Sequence, residues 1–279
     1  NFVKSIFTLF GGHVMLKHVY RLMIELTNGR WSSVILRRFA RSRVSRFVVP
    51  SFAKIYKLNQ DEMEKALHEY HTLHDLFIRT LKKDVRLVDD DANSVVSPVD
   101  AVIEDVGPIN ETSEMLVKGK SYSIQEMLGS DQTVTKYLNG TYMVLYLSPS
   151  HYHRIHSPVE GAIVKQWTLG SKSYPVNKMG LKYGVRTLAK NYRMITEVNT
   201  ACGHIAIVKV GAMFVNSIEK THKGMHLQKG EEMAYFSFGS TVVLLFEKGI
   251  FKLDSSIHIP KDIRIGEKIG VLVKGNRGA

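Results

Sequence analysis

Three short segments carry the residue types that nucleophilic catalysis needs. They are Ser97-Pro98-Val99-Asp100, residues 146–158 and residues 238–246, which begin with Phe238-Gly239-Ser240-Thr241. The first offers a carboxylate, the second three histidines, and the third a serine that follows a glycine. A hydroxyl is a weak nucleophile unless a base lies within hydrogen-bond reach, and a carboxylate commonly orients that base. One serine, one histidine and one aspartate from these segments would suffice to activate the serine hydroxyl.

The glycine before this serine has a property of its own. Gly239 has no side chain, so its backbone can take strained angles and its carbonyl carbon is open to attack. Taken singly, each segment is also typical of an ordinary turn, and clustered histidines are often structural. Only the combination of the three segments points to a catalytic site.

The three segments lie in the part of the chain whose pattern predicts short strands. From Val95 onward, apolar runs alternate with Gly, Pro, Asn and Ser. Uninterrupted apolar runs, such as residues 142–147 and 242–246, predict strands that are buried on both faces. Few long helices separate the runs, which favours antiparallel pairing. We therefore expect an α+β fold, with an N-terminal helical region over residues 1–85 and a mainly antiparallel, β-rich catalytic body over residues 86–279.

Positive charge is concentrated at the amino-terminal end of the chain. The sequence has 38 Lys and Arg against 26 Asp and Glu, a net charge of +12. Residues 1–50 hold nine of the basic residues and one acid, and apolar residues recur at helical spacing over residues 19–26 and 33–47. A basic amphipathic helix pair is typical of a membrane-surface element, attracted to anionic lipid by about 1 kcal/mol per basic residue. A helix face packed on the core with solvated arginines fits the same pattern, so both interpretations stay open here.

Further helices are predicted up to about residue 83. Asn59 with Glu62 is a capping-box pattern, and it predicts a helix whose buried stripe is Met63, Ala66, Leu67 and Tyr70. Thr72 with Asp75 predicts the start of another short helix.

Metal sites, disulfides and membrane-spanning helices are not predicted. His68, His71 and His74 recur at intervals of three, but no carboxylate is convincingly placed beside them, so we expect helix-surface histidines. The single cysteine, Cys202, excludes an internal disulfide and suits a reducing compartment. No run approaches 18 apolar residues.

The order of these segments resembles that of the phosphatidylserine decarboxylase family. The strongest signal is Phe238-Gly239-Ser240-Thr241, which is similar to the Leu-Gly-Ser-Thr self-cleavage site of the family. Phe238 replaces the usual Leu, and His151 stands where some members carry an acid, so His151 is given no role. The resemblance extends over nearly the whole chain after residue 45, through residues 72–79, 117–124, 174–177 and 210–218.

The resemblance implies a proenzyme that cuts itself between Gly239 and Ser240, giving a β chain of residues 1–239 and an α chain of residues 240–279. Ser240 would attack the Gly239 carbonyl and end as a pyruvoyl group, the covalent cofactor of the enzyme. This group would form a Schiff base with phosphatidylserine and act as an electron sink, so that the products are phosphatidylethanolamine and CO2.

The resemblance also assigns roles to three other residues. His156 would be the base for self-cleavage, and Asp100 would orient it. His153 would deliver a proton at the decarboxylation step. The implied catalytic residues are therefore Asp100, His153, His156 and Ser240.

The implied partners are phosphatidylserine, an anionic membrane surface, the two cleaved chains and a second copy in a homodimer. The enzyme would lie as a peripheral protein on the cytoplasmic face of the cell membrane.

Three other functions fit parts of the pattern. They are a serine hydrolase that uses Ser240, His156 and Asp100, a soluble family member that decarboxylates a free amino acid, and a nucleic-acid-binding module, for which the sequence has no recognised motif.

Overall fold

The structure is a computed structural model of the chain, and it describes residues 35, 37–129, 131–174, 176, 186–212, 218–237 and 240–274. The helix predicted over residues 19–26 lies outside the described residues, and so do Phe238 and Gly239 of the predicted cleavage segment.

The described helices are short and most lie before the main strands. Residues 37–40 are helical, and the other helices are the 3₁₀ helices Arg43–Val48 and Leu67–Glu69 and the α-helices α1 (Val49–Ile55), α2 (Leu73–Phe77), α3 (Ile124–Leu128), α4 (Asp131–Tyr137) and α5 (Thr187–Lys190). The strands are β1 (Ser94–Val96), β2 (Ala101–Pro108), β3 (Glu114–Val117), β4 (Lys120–Ser123), β5 (Thr141–Leu147), β6 (Arg154–His156), β7 (Gly161–Leu169), β8 (Arg193–Asn199), β9 (His204–Gly211), β10 (Ile218–Lys220), β11 (His226–Leu227), β12 (Glu232–Phe236), β13 (Ser240–Phe246), β14 (Phe251–Leu253), β15 (Lys261–Ile263) and β16 (Lys268–Leu272). These elements confirm the expected α+β class.

One large antiparallel sheet organises the molecule. Its eight strands lie in the order β11-β7-β8-β9-β13-β5-β2-β15, and every neighbouring pair is antiparallel. β13 lies between β9 and β5, and all seven of its residues are buried. This confirms the prediction that the apolar runs form strands buried on both faces, because β-strand side chains alternate between the two faces.

Two hydrophobic cores cover the two faces of this sheet. On one face, residues such as Leu145 and Val242 pack against the small sheets β10-β12-β6 and β1-β16-β14, and this cluster is here called the first core. On the other face, residues such as Val144 and Val243 pack against α3, α5 and the β3-β4 hairpin. A residue on β13 therefore meets one core or the other according to whether its number is even or odd.

The predicted catalytic segments meet at one edge of the large sheet. β13 begins there with Ser240, which lies opposite Leu147 at the end of β5 and opposite Gly211 at the end of β9. β2 begins at the same edge with Ala101, directly after Asp100. The antiparallel order of the strands thus places residues that are far apart in sequence next to one another.

The predicted helix over residues 59–70 is wrong. The chain forms turns there, with an isolated bridge between Met63 and Leu81 and a 3₁₀ helix over Leu67–Glu69. The helix is lost because distant segments take the groups it would use: the amide of Glu64 donates to the carbonyl of Thr80 at 3.1 Å, and the carbonyl of Glu62 accepts from the amide of Lys82 at 2.9 Å. The Glu62 side chain, the expected partner in the capping box, is bonded to Arg86.

The other N-terminal predictions have mixed outcomes. The helix after Thr72 is confirmed as α2, since Thr72 Oγ1 accepts from the Asp75 amide at 3.0 Å. The stretch over residues 33–47 is not one helix in its described part, because it changes to the 3₁₀ helix Arg43–Val48. There Ser45 Oγ donates to the carbonyl of Ala40 at 3.0 Å, a local bond that interrupts regular helix. The domain boundary between residues 85 and 86 stays a prediction.

In the described part of the chain, no helix has the length and apolar character needed to cross a membrane.

Truncating a central side chain of β13 should be costly for stability. Leu244 is fully buried in the first core, so Leu244→Ala is expected to lower the free energy of unfolding by about 2–5 kcal/mol. Leu116→Ala serves as the control, because Leu116 lies on β3 and is 64% exposed, and its cost should stay within about 0.5 kcal/mol. Denaturant unfolding measures both, and equal costs would contradict the assignment of β13 to the core.

Candidate active site

Ser240 is held rigidly and has been removed from water. As the first residue of β13, it pairs with a strand on each side, and its side chain is fully buried. Among the described residues, Ser240 Oγ has no hydrogen-bond partner. Because buried hydroxyl groups are normally bonded, an unbonded one at a strand end is a candidate reactive group.

The histidine segment lies beside the chain that leads into Ser240. Leu147, the last residue of β5, lies opposite Ser240. Six residues later, the carbonyl of His153 accepts a hydrogen bond from the amide of Phe236 at 3.0 Å. Two connections are therefore held together at their ends. One runs from Leu147 to His153 and the other from Phe236 to Ser240. This arrangement brings the predicted serine and the predicted histidines into one region.

His153 is a neutral histidine with one free nitrogen. It is fully buried, and its ring packs on that of Phe77 with centroids 3.9 Å apart. Nδ1 lies 2.9 Å from the carbonyl of His151, so Nδ1 carries the hydrogen and donates it. Burial, followed by the charge of Arg79, holds the pKa of His153 well below its usual value. Nε2 has no partner among the described residues and is left as a proton acceptor.

His156 has the same arrangement at the end of β6. Its Nδ1 lies 2.7 Å from the carbonyl of Gly230, which again places the hydrogen on Nδ1. Its Nε2 is buried and has no partner in the described part of the chain. Burial lowers the pKa of His156. The residue is therefore a neutral base whose free nitrogen can accept a proton from a hydroxyl.

Asp100 is held by partners other than His156. Arg86 Nη2 donates to Asp100 Oδ2 at 2.6 Å and Arg86 Nε to Oδ1 at 2.9 Å, and the amide of Ile265 donates to Oδ1 at 2.9 Å. Within the described residues, neither nitrogen of His156 bonds to Asp100, because Nδ1 is bonded to Gly230 and Nε2 has no partner. The structure thus places the serine and two histidines in one region and Asp100 beside them, and the role of Asp100 as orienter stays a prediction.

Two arginines that bind in this region were given no role from the sequence alone. Arg86 joins Asp100 to Glu62, which it contacts at 2.8 Å. Arg79 is buried, and its Nη2 donates to the carbonyls of Ser150 and His151 at 3.0 and 3.1 Å. Arg79 lies in the stretch that carries the family resemblance, but nothing in its local spacing indicates that it would fix the histidine segment 71 residues away.

A cavity of about 330 Å³ opens next to Asp100, lined also by Arg79, His151 and Tyr152. His151 has a structural contact there, since its Nδ1 accepts from the amide of Ser148 at 3.1 Å. The described part of the chain contains no group of three or more possible ligands placed to hold a metal ion.

Comparisons with known proteins give the family of the chain. A family model for phosphatidylserine decarboxylase matches residues 73–271. A phosphatidylserine decarboxylase proenzyme of Geobacillus sp. (strain WCH70) is 64% identical over 258 residues, which cover 92% of this chain and all of the relative. Proteins of the same name are 62% identical in Anoxybacillus flavithermus, over 93% of this chain and 98% of the relative, and 58% identical in Bacillus mycoides, over 93% and 99%.

Removing Arg86 should destabilise the protein through Asp100. Both side chains are at least 88% buried, so Arg86→Met leaves a buried carboxylate without its cation, at an expected cost of about 3–5 kcal/mol in the free energy of unfolding. The double variant Arg86→Met with Asp100→Asn removes the unpaired charge and should recover more than half of that loss. Denaturant unfolding of the single and double variants tests this, and equal stability of the two would contradict it.

Proposed function

The chain belongs to the phosphatidylserine decarboxylase family, and from this premise we propose that it removes the carboxyl group of the serine head of phosphatidylserine, giving phosphatidylethanolamine and CO2. The observation that carries the proposal is the buried, unbonded hydroxyl of Ser240 in the same region of the sheet as two neutral histidines. The serine hydrolase and the free amino acid decarboxylase have no comparable support from the three relatives described above, each of which is named for the phospholipid.

We propose that the chain first cuts itself between Gly239 and Ser240. Ser240 Oγ adds to the Gly239 carbonyl carbon while His156 Nε2 accepts the hydroxyl proton and passes it to the departing Ser240 nitrogen, which leaves an ester. Loss of the Ser240 α-proton then expels the Gly239 carboxylate. Addition of water and release of ammonia leave a pyruvoyl group on residue 240. Asp100 is assigned to orient His156, and since Nε2 serves as the base, this requires His156 Nδ1 to exchange its bond to the carbonyl of Gly230 for one to Asp100.

The surroundings of Ser240 fit such a group. Among the described residues, Ser240 Oγ has no hydrogen-bond partner, so converting the serine breaks no hydrogen bond to them. The strand end is also dry. When present, an α-keto amide supplies the electron sink that a departing carboxylate requires. The chain's own contribution is to exclude water and to move a proton at His153 Nε2, which we assign to the product carbon. Since Nδ1 of His153 is bonded to the carbonyl of His151, the ring is fixed with Nε2 available.

Mass spectrometry of purified protein tests self-cleavage. Wild type should yield chains of residues 1–239 and 240–279, the shorter with a blocked N-terminus that hydrazine labels. Ser240→Ala should stay at full length and show no activity, and His156→Gln should slow the cut by at least about 100-fold, the usual scale of general base catalysis. Thr241→Ser is the matched control next to the site and should be cut. An uncut wild-type chain with full decarboxylase activity would overturn the proposal.

We further propose that the N-terminal helices dock on an anionic membrane surface, where the substrate lies. Phe47 is 86% exposed, and Ile35, Val44 and Ile55 are also exposed, although side chains of this size usually pack inside. Arginines at positions 37, 38, 41, 43 and 46 lie among them. Exposed apolar groups beside arginines suit insertion below lipid headgroups that carry phosphate. This arrangement supports the membrane interpretation over the core-packing one. The cytoplasmic face and the homodimer stay predictions from the family resemblance.

Membrane docking is tested by flotation with vesicles of phosphatidylserine and phosphatidylcholine. Phe47→Asp combined with Ile55→Asp should reduce the vesicle-bound fraction at least about tenfold, because each buried large apolar side chain contributes about 1.5–3 kcal/mol. Leu116→Asp is the matched control, since Leu116 is similarly exposed at 64% but lies on β3. Binding should also weaken with salt. Equal loss in both variants, or none in either, would contradict docking through this surface.

A further inference from the structure

Lys209 lies inside the first core, and the chemistry proposed above makes no use of it. It belongs to β9 and is fully buried. Among the described residues, its Nζ donates one hydrogen bond, to Thr196 Oγ1 at 2.6 Å. An ammonium has three donors, and burying it with a single neutral partner costs free energy. A buried ionisable group that is so poorly satisfied is a candidate for a functional role.

The surroundings of Lys209 favour its uncharged amine. Burial lowers the pKa of Lys209 to about 7, so a large fraction of it is neutral near that pH. His222 is a titratable neighbour of Lys209, since burial lowers the pKa of His222 and the charge of Lys209 contributes a smaller lowering. His222 Nδ1 is bonded to the carbonyl of Gly224 at 3.1 Å. A neutral, desolvated lysine amine is a nucleophile toward carbonyl groups.

Strand alternation places Lys209 and Ser240 on the same face of the large sheet. On β9, Ile207 belongs to the first core, so Lys209 two residues later points the same way. On β13, Val242 belongs to the first core, so Ser240 two residues earlier also does. β9 and β13 pair without a register irregularity.

The register makes the two residues diagonal neighbours. Val242 lies directly opposite Lys209, and Ser240 is the next residue of β13 on that face. Such diagonal pairs lie about 7–8 Å apart, within reach of a long side chain. Thr196, the partner of Nζ, is on β8, the strand on the far side of β9 from β13. Rotation of the flexible four-carbon stem is therefore needed to bring Nζ to residue 240.

We propose that Lys209 forms an internal imine with the ketone carbon of residue 240 in the processed enzyme, and that the amine of the incoming substrate displaces it. In the first step the Nζ lone pair forms the new C–N bond, the ketone C–O bond breaks, and the oxygen leaves as water with the two Nζ hydrogens. In the second step the substrate amine forms the new C=N bond, and Lys209 leaves as a neutral amine. No oxidant or reductant is involved. Lys209 thereby acts as a catalytic residue of substrate entry.

This inference rests on the proposed self-cleavage, because only that reaction supplies the ketone. It accounts for an amine that is held in an apolar core on the same sheet face as the reacting residue. It also gives the processed enzyme a covalent bond between its two chains, since Lys209 belongs to residues 1–239 and the ketone to residues 240–279. That bond is a property that can be measured without substrate.

The test is reductive trapping of the processed wild-type enzyme. Substrate-free protein is treated at neutral pH with cyanoborohydride, which reduces imines in preference to ketones, and is then analysed by denaturing gel and peptide mass mapping. We expect the two chains to become joined, with the link between Lys209 and residue 240. A cut enzyme whose carbonyl reacts with hydrazine but whose chains stay separate, or are joined through another lysine, overturns this inference and leaves the proposed function intact. A chain that is never cut overturns both.

Two variants sharpen the assignment. Lys209→Met keeps a long unbranched side chain in the core, so the chain should still cut itself while the trapped link disappears. Lys165→Met removes an exposed lysine of β7 and should leave the link unchanged. A link that persists in Lys209→Met would overturn the inference. Should Lys209→Met fail to fold, the peptide map of the wild-type link still decides between Lys209 and every other lysine.

Discussion

The pairing of β13 with a strand on each side fixes the geometry on which the candidate site depends. Because backbone hydrogen bonds to β5 and β9 hold it from both sides, its first residue, Ser240, cannot move independently of the sheet. Both faces of the strand are covered by hydrophobic cores, so water is excluded from the serine as well. The same constraint that stabilises the fold thus leaves this hydroxyl dry at a strand end and without a hydrogen bond to any described residue.

Burial has a common electrostatic consequence around this serine. Loss of hydration disfavours the charged form of a base, and it lowers the pKa of His153, His156 and Lys209 alike. Two of these bases also donate their Nδ1 hydrogen to a backbone carbonyl, which leaves Nε2 free. Neutral nitrogen bases in a dry region are suited to moving protons, because each can accept one without first losing another.

Two arginines, one at the end of the N-terminal region and one directly after it, tie the candidate site together. Arg79 holds the histidine segment through two carbonyls, and Arg86 joins Asp100 to Glu62. The exposed apolar residues of the same region, such as Phe47, face away from this packing. The residues proposed to dock on lipid are therefore separate from the contacts that hold the candidate site.

The sequence alone determined the residue types, the strand pattern and the family, because apolar runs separated by turn residues and the Gly239-Ser240 motif are local properties of the chain. It also determined that the β13 run is buried on both faces. Only the tertiary structure decided which partners the side chains take: Asp100 binds Arg86, and the capping box at Asn59 is not formed. Likewise, the shared face of Lys209 and Ser240 follows from strand register, which is set by contacts between distant segments and not by local spacing.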